Sequence, residues 1–317
     1  MSTIMGVDIS KNKFDVAVIL NGKFKTKVVK NSPNGFEDLL AWLERNNIPR
    51  VHACMEATGD LYEALATFLV DHNHDVSVVN PRQISAFAKA QMIRTKTDAM
   101  DAKVIARFAE AIKPELWEPQ PENIRKLRAL GRRREALDKM LRQEKNRISC
   151  DSSEVEDSIA RVISKLEQEI KDISKQIKDL IDSDPNLRNK KELLRSIPGI
   201  GEASVEVLLS ETNAMSKFES VNQLVAYMGL SPHEQSSGTS VHKKAAISKS
   251  GNRRLRKALY MPAIVAKQRN PIVAQFAERL VQRGKNNRLI ICACMRKLVH
   301  IAFGVIKNNT YFVESPA

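Results

Sequence analysis

The chain has 317 residues, enough for two or three units, and its 43% apolar and 28% charged residues form a globular balance that excludes a disordered chain. The formal net charge is +14, and residues 231–311 hold all of it: sixteen Lys and Arg stand there against two acids, Glu234 and Glu278. A basic end on a neutral body points to a polyanionic partner, with nucleic acid as the default.

Residues 3–30 alternate and turn like a three-stranded meander. Its strands are Thr3–Ile9, Phe14–Leu20 and Phe24–Lys30, with turns at Ser10-Lys11-Asn12-Lys13 and Asn21-Gly22-Lys23. Phe36, Leu39, Leu40 and Leu43 have helical spacing. Arg50–Ala57 reads as a short strand, Leu61–His72 as a helix, and Asp75–Asn80 as a strand stopped by Pro81. The order β-β-β-α-β-α-β and then helices predicts a ribonuclease-H-like mixed sheet. Pro114, Pro119 and Pro121 end this first domain, taken as residues 1–114.

Residues 115–190 read as a coiled-coil helical hairpin. On its second arm Ile159, Ile163, Leu166, Ile170, Ile173, Ile177 and Leu180 recur at alternating spacings of four and three, a heptad seam. The first arm, Ile124–Ile148, is less regular and more basic, with Arg132-Arg133-Arg134. Such a seam suits an intramolecular hairpin or a dimerisation arm, and its regularity favours the second. Residues 191–317 are mostly helical. The fold class is therefore α/β plus α.

The four cysteines, Cys54, Cys150, Cys292 and Cys294, are too few for a disulfide scaffold, and no His/Cys spacing resembles a zinc site. Cys292 and Cys294 lie in an apolar run and read as buried thiols. The first residues lack the basic and apolar regions of a signal peptide, and no apolar stretch reaches the ~18 residues of a membrane span. A cytoplasmic protein without membrane contact is expected. Aromatic residues are only 5%, so base stacking is not expected to dominate binding.

Four carboxylates stand out. Asp8 lies inside the apolar strand Ile4-Met5-Gly6-Val7-Asp8-Ile9, where a charge is costly unless it faces an active edge or a metal. Glu56 ends the strand that becomes a neighbour of the first in such a sheet. Asp98 and Asp101, three residues apart, share one face of the helix that starts there, although Asp98 alone also suits a helix N-terminus. Clustered carboxylates need cations, and hard oxygen ligands select Mg²⁺ or Mn²⁺. Two such ions about 4 Å apart would clamp both oxygens of a phosphoryl transfer.

Ile197-Pro198-Gly199-Ile200-Gly201 looks like a helix-hairpin-helix, in which Gly199 and Gly201 let backbone N–H groups reach a DNA phosphate, or like a turn between packed helices. Ser236-Ser237-Gly238-Thr239-Ser240 with Lys243, Lys244 and Lys249 reads from composition as a loop. It also suits a phosphate-binding segment or a serine nucleophile. Arg253, Arg254, Arg256 and Lys257 open a helix whose basic face is expected on phosphate.

Together these residues resemble a known family. It comprises the bacterial insertion-sequence transposases with an N-terminal DEDD RuvC-like domain and a C-terminal serine transposase domain, guided by a bridge RNA, and takes in the pilin-gene invertase. The resemblance covers essentially the whole chain. It rests on Gly6-Val7-Asp8-Ile9, Glu56-Ala57-Thr58-Gly59, Lys96-Thr97-Asp98-Ala99-Met100-Asp101-Ala102, Ile197-Pro198-Gly199-Ile200-Gly201, Gly229-Leu230-Ser231-Pro232, Ser237-Gly238-Thr239-Ser240 and Arg254-Leu255-Arg256-Lys257-Ala258-Leu259-Tyr260-Met261-Pro262-Ala263. It implies that Asp8, Glu56, Asp98 and Asp101 are the DEDD tetrad that binds Mg²⁺. It implies that Ser237 is the nucleophile that becomes joined to DNA as a phosphoserine. It further implies donor and target DNA and a noncoding guide RNA as partners, and a homo-oligomer, dimer or tetramer, as the active unit. The competing expectation is a RuvC-like structure-selective endonuclease that uses metal-activated water.

Overall fold

The computed structural model describes residues 3–57, 59–92, 98–148, 153–237, 241–248 and 250–314. The chain divides into two compact units, Met1–Pro119 and Gln120–Ala317.

In the first unit the meander forms as its alternation predicts. β1 (Thr3–Ile9), β2 (Lys13–Leu20) and β3 (Lys23–Lys30) pair antiparallel. Asn21 and Gly22 both take positive φ, 48° and 73°, as a tight two-residue hairpin turn demands. In α1 (Pro33–Arg45) the Ser32 side chain accepts from the Gly35 N–H, and Pro33 suits the first turn. Next in the chain come β4 (Val51–Glu56), α2 (Glu63–Asp71) and β5 (Asp75–Val79), then α3 (Pro81–Ala90) and α4 (Asp98–Ile112). The sheet order is β3-β2-β1-β4-β5, with β4 parallel to both β1 and β5. The first and fourth strands are neighbours, as the element order predicts.

Side-chain alternation sorts the two faces of this sheet. Met5, Val7, Val16, Ala53 and Met55 pack with Phe36 and Leu39 of α1 and Leu65 and Leu69 of α2. On the other face Cys54 and Val79 meet Ile84 of α3 and Val104, Ile105 and Phe108 of α4. There α4 approaches β1 so closely that a Cβ on Gly6 would stand 2.1 Å from the Ala102 carbonyl oxygen and 2.4 Å from the Ala106 nitrogen. Ala102, Ala106 and Ala109 are all fully buried, small side chains matched to that approach.

The second unit opens with α5 (Glu122–Ile148) and α6 (Ser153–Ser183). They pack along each other antiparallel: Asn123 Nδ2 donates to Asp184 Oδ2 at 3.0 Å at one end, and Lys145 Nζ lies 2.7 Å from Glu167 Oε1 farther along. The seam thus finds a partner inside the chain for part of its length. Ile173 and Ile177 are buried, whereas Ile163, Leu166 and Ile170 are half-buried. The base of the arm shares one core with the helices C-terminal to it, since Ile124, Leu127 and Ile181 belong to the same cluster as Leu194, Val205, Leu259 and Leu298.

α7 (Pro185–Arg195), α8 (Glu202–Glu211), a 3₁₀ turn at Asn213–Met215, and α9 (Val221–Met228) come next. β6 (Pro232–Ser237) and β7 (Val241–Ile247) form a two-stranded antiparallel sheet. α10 (Arg253–Arg269), α11 (Pro271–Gln282) and α12 (Asn287–Asn308) complete the unit.

α12 corrects one sequence expectation. By length and composition it is apolar enough to cross a membrane. Arg296 and Lys297 split its apolar run when it is read linearly. Half of that stretch is buried inside the unit, where Ile290, Cys294, Leu298 and Ala302 face the core. A core helix satisfies the same length criterion.

Two glycines make this packing testable. Gly6→Ala drives a methyl into the backbone of α4 and is expected to cost about 3 kcal/mol or more. Trp42 and Trp117 both lie in the first unit, so tryptophan fluorescence in urea reads this loss directly. Gly131, inside α5 with nothing within 4 Å of its Cβ position, is the control. Gly131→Ala is expected to stabilise the second unit by roughly 0.5–1 kcal/mol, read by far-ultraviolet dichroism.

Candidate catalytic site and nucleic-acid interface

β1 and β4 are in parallel register, with Val7 beside Met55. Asp8 and Glu56 are the next residues on each strand, so they lie side by side at the carboxyl ends of neighbouring strands, about 5 Å apart by strand spacing. Both alternate onto the face that carries Gly6 and Cys54, the face covered by α4. Both are partly buried. Asp101 stands in the first turn of α4, next to Ala102, which touches β1 at Gly6. The close approach at Gly6 therefore brings the start of α4 over the ends of β1 and β4. Asp98 begins that helix; its side chain lies outside the described residues.

Register adds a carboxylate that sequence reasoning passed over. Asp15 on β2 pairs directly with Asp8, and such pairs share a face. Asp15 is 6% exposed and lies 3.2 Å from Lys13 Nζ. The four-residue turn between Ile9 and Phe14 is the signal that could have placed it. Among the described residues no three His, Cys, Asp or Glu side chains are gathered tightly enough to hold a metal ion. The donor chemistry at this edge is nonetheless all hard oxygen, which fits a divalent cation rather than a soft metal.

The same sheet holds a Ser-His pair that resembles part of a nucleophilic triad and is none. His52 Nε2 lies 2.7 Å from Ser77 Oγ, and Ser77 Oγ lies 2.7 Å from the Glu115 carbonyl oxygen and 3.1 Å from that of Pro114. Ser77 is fully buried and has one proton, which it gives to a carbonyl. His52 then donates from Nε2. Burial lowers the His52 pKa, with Asp75 opposing, so the ring is kept neutral. This set fastens the segment after α4 to the sheet.

In the second unit Gly199 has φ of 106°, and a Cβ there would lie 2.8 Å from the Ala266 Cβ of α10. Its need for glycine thus comes from its left-handed backbone as well as from packing. Gly201, exposed, caps α8 with nothing within 4 Å of its Cβ position. Glu202, in the first turn of α8, meets Arg195 at 2.5 Å and Lys191 at 3.1 Å, so the helix start already holds an anion.

Ser237 is the last residue of β6 and pairs with Val241 of β7. The segment read from composition as a loop is thus the end of a hairpin, because the cross-strand pairing that forms it leaves no mark in composition. Gly238, Thr239, Ser240 and Lys249 lie outside the described residues. So do the side chains of Ser237, Lys243 and Lys244, although their backbones sit in the two strands. The base of the hairpin is tied down. Ser248 N–H donates to Ser231 O at 2.9 Å, and Asn252 N–H to Tyr227 O at 2.8 Å.

The basic opening of α10 divides its work. Arg256 Nη1 donates to Met228 O at 2.9 Å and Gly251 O at 3.1 Å, which holds the hairpin base to the end of α9. Arg254 lies 3.0 Å from Glu135 and 3.2 Å from Glu211, and Lys257 lies 2.8 Å from Glu135. Arg253 is exposed. The centre of this network is Glu211, 5% exposed, which also accepts from Asn252 Nδ2 at 2.8 Å and Arg132 Nε at 3.4 Å. Lys257 first, then the charges of Arg254 and Arg142, holds the Glu135 carboxyl below its usual range, against desolvation.

Both units match known transposases. A family model described as a transposase, of the IS110 DEDD type, matches residues 5–150. A second, described as the IS116/IS110/IS902 transposase family, matches residues 191–278. The pilin gene-inverting protein of Moraxella bovis is 38% identical over 98% of this chain and 97% of its own length. That of Moraxella lacunata is similar to the same extent. The transposase for insertion sequence element IS1328 of Yersinia enterocolitica is 22% identical over 98% of both chains.

Two outcomes test the electrostatics. Glu211→Ala leaves Arg132 and Arg254 without their shared carboxylate and is expected to cost about 3 kcal/mol in urea unfolding monitored by dichroism. Burial, and less so the Glu56 charge, pushes the Cys54 thiol up to about 12. The folded state therefore favours the protonated thiol. This stabilisation is complete below the unfolded thiol pKa near 9 and is lost as pH rises toward 12. Native protein at pH 8 is expected to leave Cys54 unmodified by iodoacetamide, and unfolded protein to modify it fully.

Proposed function

The chain belongs to the IS116/IS110/IS902 transposase family, and on that premise we propose that it cleaves and rejoins DNA through a covalent phosphoserine intermediate, with a divalent metal site and RNA guidance. Enzymatic DNA rearrangement is the property of the family. The observation that carries the finer reading is the placement of Asp8 and Glu56 on adjacent strand ends under the start of α4, which bears Asp98 and Asp101.

In this reading residues 1–114 are the RuvC-like domain, 115–190 a coiled-coil arm, and 191–317 the serine transposase domain with its helix-hairpin-helix. Asp8, Glu56, Asp98 and Asp101 hold Mg²⁺ or Mn²⁺, which when bound supplies Lewis-acid stabilisation of phosphoryl oxygens. Ser237 Oγ loses its proton and forms a bond to phosphorus. One phosphorus–oxygen ester bond of the strand breaks, and the leaving oxygen takes up a proton. In the reverse step a hydroxyl on the other strand attacks the phosphoserine and restores Ser237. One phosphodiester is lost and one regained, so no nucleotide cofactor is consumed. The position of Ser237 at the end of β6 suits this role, because a hairpin end can be presented to a strand while its base stays fixed.

Lys243, Lys244, Lys249 and Arg253 contact nucleic-acid backbone. Contacts of this kind carry no base sequence, which a guide RNA then supplies by pairing. The active unit is a homo-oligomer.

The test combines purified protein, Mg²⁺, RNA transcribed from the flank of its element, and labelled donor and target DNA, resolved on denaturing gels. Label retained on the protein is expected, and Ser237→Ala and Asp8→Asn each abolish it. Cut DNA without a protein adduct, still formed by Ser237→Ala, would establish the RuvC-like endonuclease that uses water instead.

A further inference from the structure

The concavity between α5 and α10 has no part in the serine chemistry. It has a volume of about 300 Å³ and is lined by Arg132, Glu135, Ala136, Lys139, Arg142 and Lys257. Four cations, one carboxylate and Ala136 surround this space. Both walls belong to the second unit.

Charge balance shows that the site is not satisfied internally. Glu135 is shared by Arg254 at 3.0 Å and Lys257 at 2.8 Å. Glu211 is shared by Arg132 and Arg254. Two carboxylates thus answer five cations, and the excess is carried by Lys139 and Arg142, both exposed. Arg142 turns its Nε to the Asp138 carbonyl oxygen at 3.1 Å, which steadies its guanidinium on the helix. Glu135 sits low among these groups and is held ionised by them.

Spacing says what the cleft fits from its floor to its outer edge. Arg132 and Lys139 are two turns apart on one face of α5, about 10.5 Å along the axis at 1.5 Å per residue. The major groove of duplex DNA is about 12 Å wide between its phosphate walls, whereas the major groove of an RNA duplex is too narrow for side chains to enter. We propose that this basic cleft between α5 and α10 is a docking site for the phosphodiester backbone of duplex DNA, with Lys139 and Arg142 as its outer contacts and Arg132 and Lys257 as its floor. Glu135 fixes Lys257 and Glu211 fixes Arg132 in the floor, which leaves the outer pair to the phosphates. The site is independent of the serine hairpin and reads no bases. It rests on the assignment of DNA as substrate, and it tethers flanking duplex alongside the strands being exchanged.

The test is binding of a fluorescent random-sequence 30-base-pair DNA by the full chain, measured by anisotropy across a salt series. Lys139→Glu with Arg142→Glu is compared with Lys171→Glu and Lys175→Glu on α6. The cleft variant is expected to lose tenfold or more in affinity at 0.1 M salt, and its salt slope is expected to fall by about two, near one per phosphate contact. The α6 variant keeps both within twofold. Thermal unfolding by dichroism confirms that each variant is folded, and single variants Lys139→Ala and Arg142→Ala, each lowering the slope by about one, serve where the double variant is not. An unchanged slope overturns the site, as does a loss confined to an RNA duplex of the same length. Adduct formation on saturating DNA reports the chemistry separately, so failure of the cleft and failure of the serine mechanism give different results.

Discussion

The contact between α4 and β1 across Gly6 is the constraint on which the first unit turns. A helix can reach a strand this closely only where the strand lacks a Cβ and the helix offers alanines, and Gly6, Ala102 and Ala106 meet both conditions. The consequence is chemical. The first turn of α4, with Asp101, is drawn over the strand ends that bear Asp8 and Glu56. A larger residue at position 6 would leave Asp8 and Glu56 side by side on the sheet but hold Asp101 away from them.

The second unit depends on a different constraint, the cost of an uncompensated buried charge. Glu211 at the end of α8 is nearly inaccessible, so the chain surrounds it with Arg132 from α5, Arg254 from α10 and the Asn252 side chain that caps α10. These partners come from segments far apart in sequence. Satisfying one carboxylate therefore fixes the arm, the cap of α10 and the base of the serine hairpin relative to one another. Arg256 continues the same function at the hairpin base by donating to the carbonyls of Met228, at the end of α9, and Gly251, just before α10.

This use of cations explains why a basic segment overstates its ligand-binding surface. Arg254, Arg256 and Lys257 read alike in sequence, yet each is engaged by the protein itself. Arg253 stays exposed, and so do Lys139 and Arg142 on the arm, outside the most basic stretch. Net charge points to the second unit as the basic one but does not identify which of its cations are available.

The sequence by itself determined the element order of the first unit, because alternation and helical spacing are local patterns with little ambiguity between Thr3 and Val79. It also determined that Asp8 and Glu56 would be neighbours, since strand order is set by that pattern, and that Asp98 and Asp101 would share one helix. The heptad seam likewise announced a long helix. What remained to tertiary structure was everything set by partners distant in the chain. Asp15 enters beside Asp8 through register, and the turn at Gly199 packs against Ala266 of α10. The stretch containing Ser237 becomes a strand only because Val241–Ile247 pairs with it. Local periodicity records the backbone's own preferences, whereas these features are fixed by the packing and pairing of segments whose separation no local pattern encodes.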